Sequence, residues 1–304
     1  MSERILITGG SGLIGRALTA ELAAAGYETI VLSRSPQRVA GLPAGARAAG
    51  WDGATADGWG ALADGALAVV HLAGESIAGG RWTVAKKRRI RDSRVRSSRA
   101  VLAAFAAAEA PPRVLVQASG IDYYGERGDE TVDEDAGAGD DFLAEVCVEW
   151  EAATAAAEEI GVRRAVLRTS MVLAADGGAL PKLALPFRLG VGGPLGSGEQ
   201  WVSWIHLGDE IGAIRFLIEH ADAAGPFNLT APHPVRNAEL SAELARVLHR
   251  PNLLRAPRFA LRLALGEMAD LVLAGRRALP AALERAGYRF RFRRVGPALA
   301  DLLG

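Results

Sequence analysis

Four glycines on one tight turn point to phosphate chemistry. The run Thr8-Gly9-Gly10-Ser11-Gly12-Leu13-Ile14-Gly15 lies between a short apolar run, Arg4–Thr8, and an amphipathic stretch, Leu13–Ala25. Gly9 can take the tight turn. Gly12 lets backbone approach a pyrophosphate with no Cβ in the way, and Gly15 lets the helix pack close on the strand. The first turn of that helix offers unpaired N–H groups and a positive dipole end to phosphate oxygens. Gly9, Ser11, Gly12, Leu13, Ile14 and Gly15 are therefore the expected contacts of a dinucleotide. Without a ligand, the same residues would read as a glycine-rich strand–helix turn.

The next strand, Glu28–Ser33, selects the cofactor. A carboxylate at its end, about twenty residues past the turn, would bind the ribose 2′-OH of NAD. Here the strand ends Val31-Leu32-Ser33-Arg34, with a hydroxyl and a guanidinium in place of the acid. A planar guanidinium suits a 2′-phosphate, so NADP(H) is the expected cofactor. Read without a ligand, Arg34 is a solvated strand-end residue before the Ser35-Pro36 turn. His71-Leu72-Ala73-Gly74 closes a fourth strand, where small residues would let the chain pass beneath the adenine side of the cofactor. An ordinary strand end has the same look.

These residues need a scaffold, and the pattern around them supplies one. Short apolar runs at Leu67–Ala73, Val114–Ala118 and Ala165–Thr169 alternate with helical stretches at Val84–Ala108 and Phe142–Ile160. That alternation implies βαβ units and a parallel sheet covered on both faces. The fold class expected is α/β, a Rossmann-type doubly wound parallel sheet with a smaller, mainly helical C-terminal lobe. Gly177-Gly178, Pro181, Pro186 and the run Gly190–Gly198 break the rhythm. The nucleotide domain is therefore placed at 1–175, rejoined by 205–231 through a helix at His206–His220 and a last strand at Phe227–Thr230. The smaller lobe takes 176–204 and 232–304.

Composition sets outer limits. The chain has 304 residues, half of them hydrophobic, with 35 basic and 35 acidic side chains. That balance gives no global reason to expect nucleic acid or an anionic membrane as partner. The single cysteine, Cys147, suits a reducing compartment, and Ile5-Leu6-Ile7 is too short for a signal-peptide core, so a cytoplasmic location is expected. The apolar stretch Leu261 to Gly275 contains Arg262, Glu267 and Asp270 and reads as an amphipathic helix, not a span. Scattered histidines and one cysteine give no metal cluster. The partners expected are a small-molecule substrate of unidentified class and, as an open option, a second copy in a homodimer.

With those residues in place, the chain resembles the extended short-chain dehydrogenase/reductases, and more narrowly their atypical "epimerase family protein" branch. The resemblance spans essentially the whole chain. It is carried by Thr8–Gly15, Leu72-Ala73-Gly74-Glu75, Arg81-Trp82, Ser93-Arg94, Ser119 through Gly125, and Phe142-Leu143 through Trp150-Glu151. It continues with Pro186–Gly190, Trp204-Ile205-His206, Gly266-Glu267-Met268 and Pro280 to Tyr288. It implies NADP(H) contacts at Ser33, Arg34, Leu72, Ala73 and Arg94.

The branch departs from most extended members, which carry a Tyr and a Lys one helical turn apart, so that the Lys lowers the phenol pKa. With Trp150-Glu151 setting the register, those positions are Leu143 and Cys147. The usual serine or threonine after the fifth strand falls at or beside Gly120, next to Ser119. Ser119, Tyr123 and Tyr124 are the remaining candidates for proton transfer near a nicotinamide, although a tyrosine there also reads as a core ring with its hydroxyl on a backbone group.

Other features have plain readings. The basic run Lys86–Arg91 reads as a solvated helix face, with Arg94 turned inward to cofactor phosphate. Asp209 reads as the cap or first-turn acid of the helix after Leu207, with His206 anchoring the junction. Gln200, Trp201 and Trp204 either line the cleft or close the core between the lobes. Two functions follow: an NADP(H)-dependent epimerase or oxidoreductase of unidentified substrate, or a catalytically silent NADP(H)-binding sensor.

Overall fold

Ile5, Leu6 and Ile7 are all fully buried, although successive side chains of a strand point to opposite faces. Both faces of that strand must therefore be covered, which is the mark of a parallel sheet packed between helices. The computed structural model describes residues 2–304 and shows that sheet. Its seven strands are β1 (Arg4–Thr8), β2 (Glu28–Ser33), β3 (Ala46–Gly50), β4 (Ala68–His71), β5 (Val114–Gly120), β7 (Arg163–Thr169) and β12 (Gly225–Leu229). The order is β12-β7-β5-β4-β1-β2-β3, and every pairing is parallel.

Helices α1 (Leu13–Ala24) and α5 (Leu207–Glu219) cover one face, where Ile5 and Ile7 meet Leu18, Leu22, Ile214 and Leu217. On the other face, α2 (Val84–Ala107) closes over Leu6 and Ile30 with Val101 and Phe105, beside α3 (Phe142–Ala152). Strand order runs outward in both directions from β1 and β4. A crevice opens at such a switch point, at the carboxyl ends of the strands, and ligands bind there.

The second core contains Leu173, Leu180, Phe187, Trp204, Leu244 and Leu299. It is built from β8 (Met171–Ala174), α4 (Leu180–Arg188), β11 (Trp204–His206), α6 (Asn237–Leu248) and α10 (Val295–Leu303). β11 pairs with β8, and β8 with β9 (Gly177–Gly178). Two minor ladders join β10 (Trp201–Val202) to β13 (Val235–Arg236) and β6 (Thr131–Val132) to β14 (Arg277–Ala278). The short helices α7 (Arg258–Leu265), α8 (Asp270–Leu273) and α9 (Ala281–Arg285) complete the chain. No helix among the described residues is long and apolar enough to cross a membrane.

Several local expectations are corrected. The sheet gains β3, whose sequence Ala46-Arg47-Ala48-Ala49-Gly50 has no β-branched residue; it forms as an edge strand by pairing with β2. The helix expected over 142–160 ends at Ala152 and resumes as a 3-10 helix over Ala155–Ile160. Between them, fully buried Thr154 turns its hydroxyl to the Gln117 amide. The Gly/Pro stretch before residue 198 contains the strand β9 and the helix α4.

His206 itself caps α5, its Nδ1 accepting the Gly208 N–H at 2.9 Å. Asp209 is the first-turn acid of α5 and not its cap. Its buried carboxylate accepts the backbone N–H groups of Arg291 and Phe292 at 2.7 and 2.9 Å, pinning the C-terminal segment to α5. Trp204 belongs to the second core, fully buried, with its indole N–H donated to the His233 carbonyl.

Candidate functional site

The glycine turn is shaped by contacts that exclude side chains. Gly9 has φ +68°, and a Cβ on it would lie 2.9 Å from the Leu72 carbonyl carbon and oxygen. At Gly15 a Cβ would lie 2.4 Å from the Gly9 carbonyl oxygen and 2.5 Å from the Gly10 Cα. Gly10 packs directly on Val31, a constraint not read from the sequence. Gly12 sits at the N-cap of α1 in extended conformation, with no side chain capping it. The N–H groups at that helix start are thus left to a ligand or solvent. Gly9, Gly12, Leu13, Ile14, Gly15 and Leu72 line a cavity of about 320 Å³, closed on the far side by Met171, Val172, Gly178 and Ala179. The last four were not foreseen, because they come from β8, β9 and the start of α4, distant in sequence. Ser11 stands exposed on the turn, its carbonyl held by Arg16 at 2.9 Å.

Ser33 and Arg34 end β2 at the same edge. The Ser33 hydroxyl accepts the Ser35 N–H at 3.2 Å and shapes the turn. Arg34 is exposed, and among the described residues its guanidinium meets no carboxylate within ion-pair distance. Arg94 is turned inward from α2. It donates to the carbonyls of Glu75 and Ile90, both at 3.0 Å, and lies 4.7 Å from the centre of the Trp150 ring. Gly74 makes room for it, since a Cβ there would fall 3.1 Å from the guanidinium carbon. Burial holds the Arg94 pKa below the usual value, although Asp122 and Glu75 act to raise it, and its hydrogen-bond partners are neutral carbonyls. Arg34 and Arg94 are therefore two cations without a salt-bridge partner at the same strand-end edge, with Glu75 acting on both at longer range.

A neutral histidine sets the floor between them. The Thr8 hydroxyl accepts the N–H groups of Leu72 and Ala73, each at 3.1 Å, so its own proton goes to His71 Nδ1 at 2.7 Å. That assigns the His71 proton to Nε2, which faces the hydroxyls of Ser97 and Ser98 at 3.2 Å. Complete burial, with Arg94 adding, pushes the His71 pKa down to about 3. The unfolded chain titrates near 6.5, so the stability from neutral His71 is full above that pH. It falls by about 1.4 kcal/mol per pH unit as the pH drops towards the folded value. In urea unfolding the stability of wild type relative to His71→Gln should fall with that slope below pH 6.5, since Glu210 and His206 titrate alike in both proteins. Equal slopes for the two proteins would refute the assignment.

Ser119, Tyr123 and Tyr124 converge on one buried cation. The Ser119 hydroxyl donates to Glu151 at 2.7 Å, and Glu151 grips Arg168 through Nε and Nη2 at 3.1 and 3.0 Å. Arg168 donates to the Tyr124 hydroxyl at 3.0 Å and lies 3.5 Å from the Tyr123 ring centre. The Tyr124 hydroxyl donates to Asn228 at 2.7 Å, a side-chain partner where a backbone group was expected. Burial pushes the Tyr124 pKa up to about 12. Burial alone would lower the Arg168 pKa, but Glu151 and Tyr124 raise it overall.

Helix α3 carries neither Tyr nor Lys. Leu143 and Cys147 stand one turn apart and are buried, and burial pushes the thiol up to about 12. Asp122 was not foreseen. Its carboxylate meets Arg276 at 3.1 Å and acts electrostatically on Arg94 and Cys147. Glu151 and Arg168 were missed as a pair too, although a charge inside a buried parallel strand demands a partner.

The basic face of α2 is more engaged than expected. Lys86 is buried against Glu75 at 2.7 Å, Lys87 pairs with Glu267, and Arg91 reaches Glu145 and Glu149. Trp201 stands between Arg236 and Arg277, its indole N–H on Asp129. Among the described residues no three His, Cys, Asp or Glu gather in a metal-holding group.

A switch-point crevice, a glycine turn and a bare helix start define a Rossmann-type protein of the extended short-chain dehydrogenase/reductase class. More particularly, the chain belongs to the NAD dependent epimerase/dehydratase family, whose model matches residues 5–230, and residues 256–302 match a domain of unknown function, DUF1731. An epimerase family protein of Mycobacterium bovis is 42% identical over 97% of this chain and 96% of its own. A chloroplastic homolog of epimerase family protein SDR39U1 from Arabidopsis thaliana is 39% identical over 98% of this chain and 86% of its own. The crystal structure of human epimerase family protein SDR39U1 (isoform 2) with NADPH superposes with TM-score 0.89 at 32% identity, covering 99% of each chain.

Proposed function

We propose that this protein binds NADP(H) and is an epimerase- or oxidoreductase-like member of its family, acting on a substrate whose class is open. The observation that carries the reading is the end of β2: Ser33 and an unpaired Arg34 beside the glycine turn, where NAD would need a carboxylate. Leu72 and Ala73 form the floor, and Arg94 supplies the second cation. The NADPH bound to the human relative agrees with this choice.

The proton relay is the open part. With Leu143 and Cys147 at the positions of the usual Tyr and Lys, no phenolate–ammonium pair forms there. Ser119 and Tyr124 are engaged by Glu151, Arg168 and Asn228, which favours the second reading, a catalytically silent NADP(H) sensor. Asp122, partly exposed beside Arg94 and paired with Arg276, is the candidate proton acceptor, and Tyr123 the candidate donor, if turnover occurs.

One series of measurements tests both halves. Titration calorimetry should show NADPH binding more tightly than NADH, and Arg34→Ala should weaken NADPH by roughly 10- to 100-fold with little effect on NADH. Equal losses for the two cofactors would remove the assignment. Nicotinamide absorbance with sugar nucleotides and simple alcohols should show little turnover. Rapid turnover that survives substitution of Ser119, Tyr123, Tyr124 and Asp122 but is abolished by Cys147→Ala would overturn the register on α3.

A further inference from the structure

Ten large hydrophobic side chains stand out into solvent among the described residues, and seven of them fall on two short stretches of chain. Leu185 lies on α4, and Leu189 and Val191 follow its end at Arg188. Leu253, Leu254, Phe259 and Leu263 belong to the approach to α7 and to that helix. The stretches are neighbours in space. The Gly192 carbonyl accepts the N–H groups of Leu253 and Leu254 at 3.0 and 3.1 Å, and Leu195 bridges to Ala256. Phe259 and Leu263, 74% and 77% exposed, lie one turn apart on α7 and stand side by side. A monomer seldom leaves so concentrated an apolar face uncovered without a use for it.

The charge on this face is one-sided. From Leu180 to Val191 and from Arg250 to Leu265 the chain carries Lys182, Arg188, Arg250, Arg255, Arg258 and Arg262, and no Asp or Glu. The whole chain is balanced at 35 against 35, so the excess is local. Of the six cations, Arg262 alone reaches a carboxylate, that of Asp270 at 3.2 Å. A second copy is a poor occupant, because a two-fold contact would set these cations against themselves. A fluid anionic surface fits both features. Apolar tips enter the boundary between headgroups and acyl chains, and arginines on the flank meet lipid phosphates.

We propose that the α4–α7 face docks reversibly on an anionic membrane surface. Attachment is peripheral, since no described helix can cross a bilayer. Arg81, on the loop after β4, donates to the Leu263 carbonyl at 2.8 Å, so the docking face adjoins the loop leading away from the cofactor floor. The inference stands independently of the cofactor reading.

Flotation of the full chain with vesicles tests it. Vesicles of phosphatidylcholine mixed with phosphatidylglycerol should carry the protein upward, pure phosphatidylcholine should not, and added salt should release it. The double variant Phe259→Asp/Leu263→Asp should weaken binding at least about ten-fold. Arg255→Glu/Arg258→Glu should do the same through charge. All four side chains are exposed, so both variants should keep the wild-type melting temperature and circular dichroism. Absence of flotation with either vesicle, or flotation that both variants retain, would overturn the proposal. So would a dimer seen by light scattering that Phe259→Asp breaks while no lipid binding is found.

Discussion

Glu151→Ala is expected to cost about 3–5 kcal/mol of folding stability, because it leaves the Arg168 guanidinium buried without its carboxylate. The pair is closed from solvent: the Arg168 side chain is 5% exposed and that of Glu151 is 14%. Two parallel hydrogen bonds join them, and the Tyr124 hydroxyl and Glu134 carbonyl take the remaining Nη1 protons. Removing one partner exposes the full desolvation penalty of the other. Replacing both is milder, so Glu151→Ala combined with Arg168→Met should recover much of the loss. Urea unfolding near neutral pH reads both effects. A loss below about 1 kcal/mol for the single variant, or no recovery in the double, would show that the pair carries little of the fold. The consequence extends to the site, because Arg168 also holds Tyr123 and Tyr124 behind the end of β5.

Gly15→Ala should weaken NADPH by more than about ten-fold and destabilise the protein by roughly 1–3 kcal/mol. The added methyl would fall 2.4 Å from the Gly9 carbonyl oxygen and 2.5 Å from the Gly10 Cα. Both obstacles are backbone and cannot rotate aside, so the turn itself must move. Gly9 rests on Leu72, and the same shift would disturb the cavity floor. Gly60→Ala is the control, since its nearest neighbour would lie at 3.4 Å, in ordinary contact. Affinity for NADPH in Gly15→Ala within about two-fold of wild type would mean that the cofactor does not sit on this turn.

Both experiments touch residues whose roles were unequally legible. Gly9, Gly12 and Gly15 announced themselves because a pyrophosphate seat is local: a few consecutive residues make the turn and start the helix. Arg34 was readable for the same reason, as the residue where β2 runs out. Arg94 was foreseen through the family resemblance, but its stacking on Trp150 and its passage under Gly74 were not. Met171, Val172, Gly178 and Ala179 gave no signal, because their closeness to Leu13 depends on β8 leaving the main sheet after Thr169.

The alternation of buried strands and helices, the glycine turn and the missing carboxylate after β2 are all legible in the chain's residues alone. Each of these depends on chain neighbours, on a period of two or of 3.6, or on one strand end. Which polar groups are spent was settled by the folded packing. It joined Ser119, Tyr124 and Glu151 around Arg168, turned the first-turn acid Asp209 to Arg291 and Phe292, and buried Lys86 against Glu75. The physical reason is that a buried charge or hydroxyl must find its partner within about 3 Å. Such partners here lie 11 to 83 residues apart in sequence, and only the packing of the sheet against its helices brings them together.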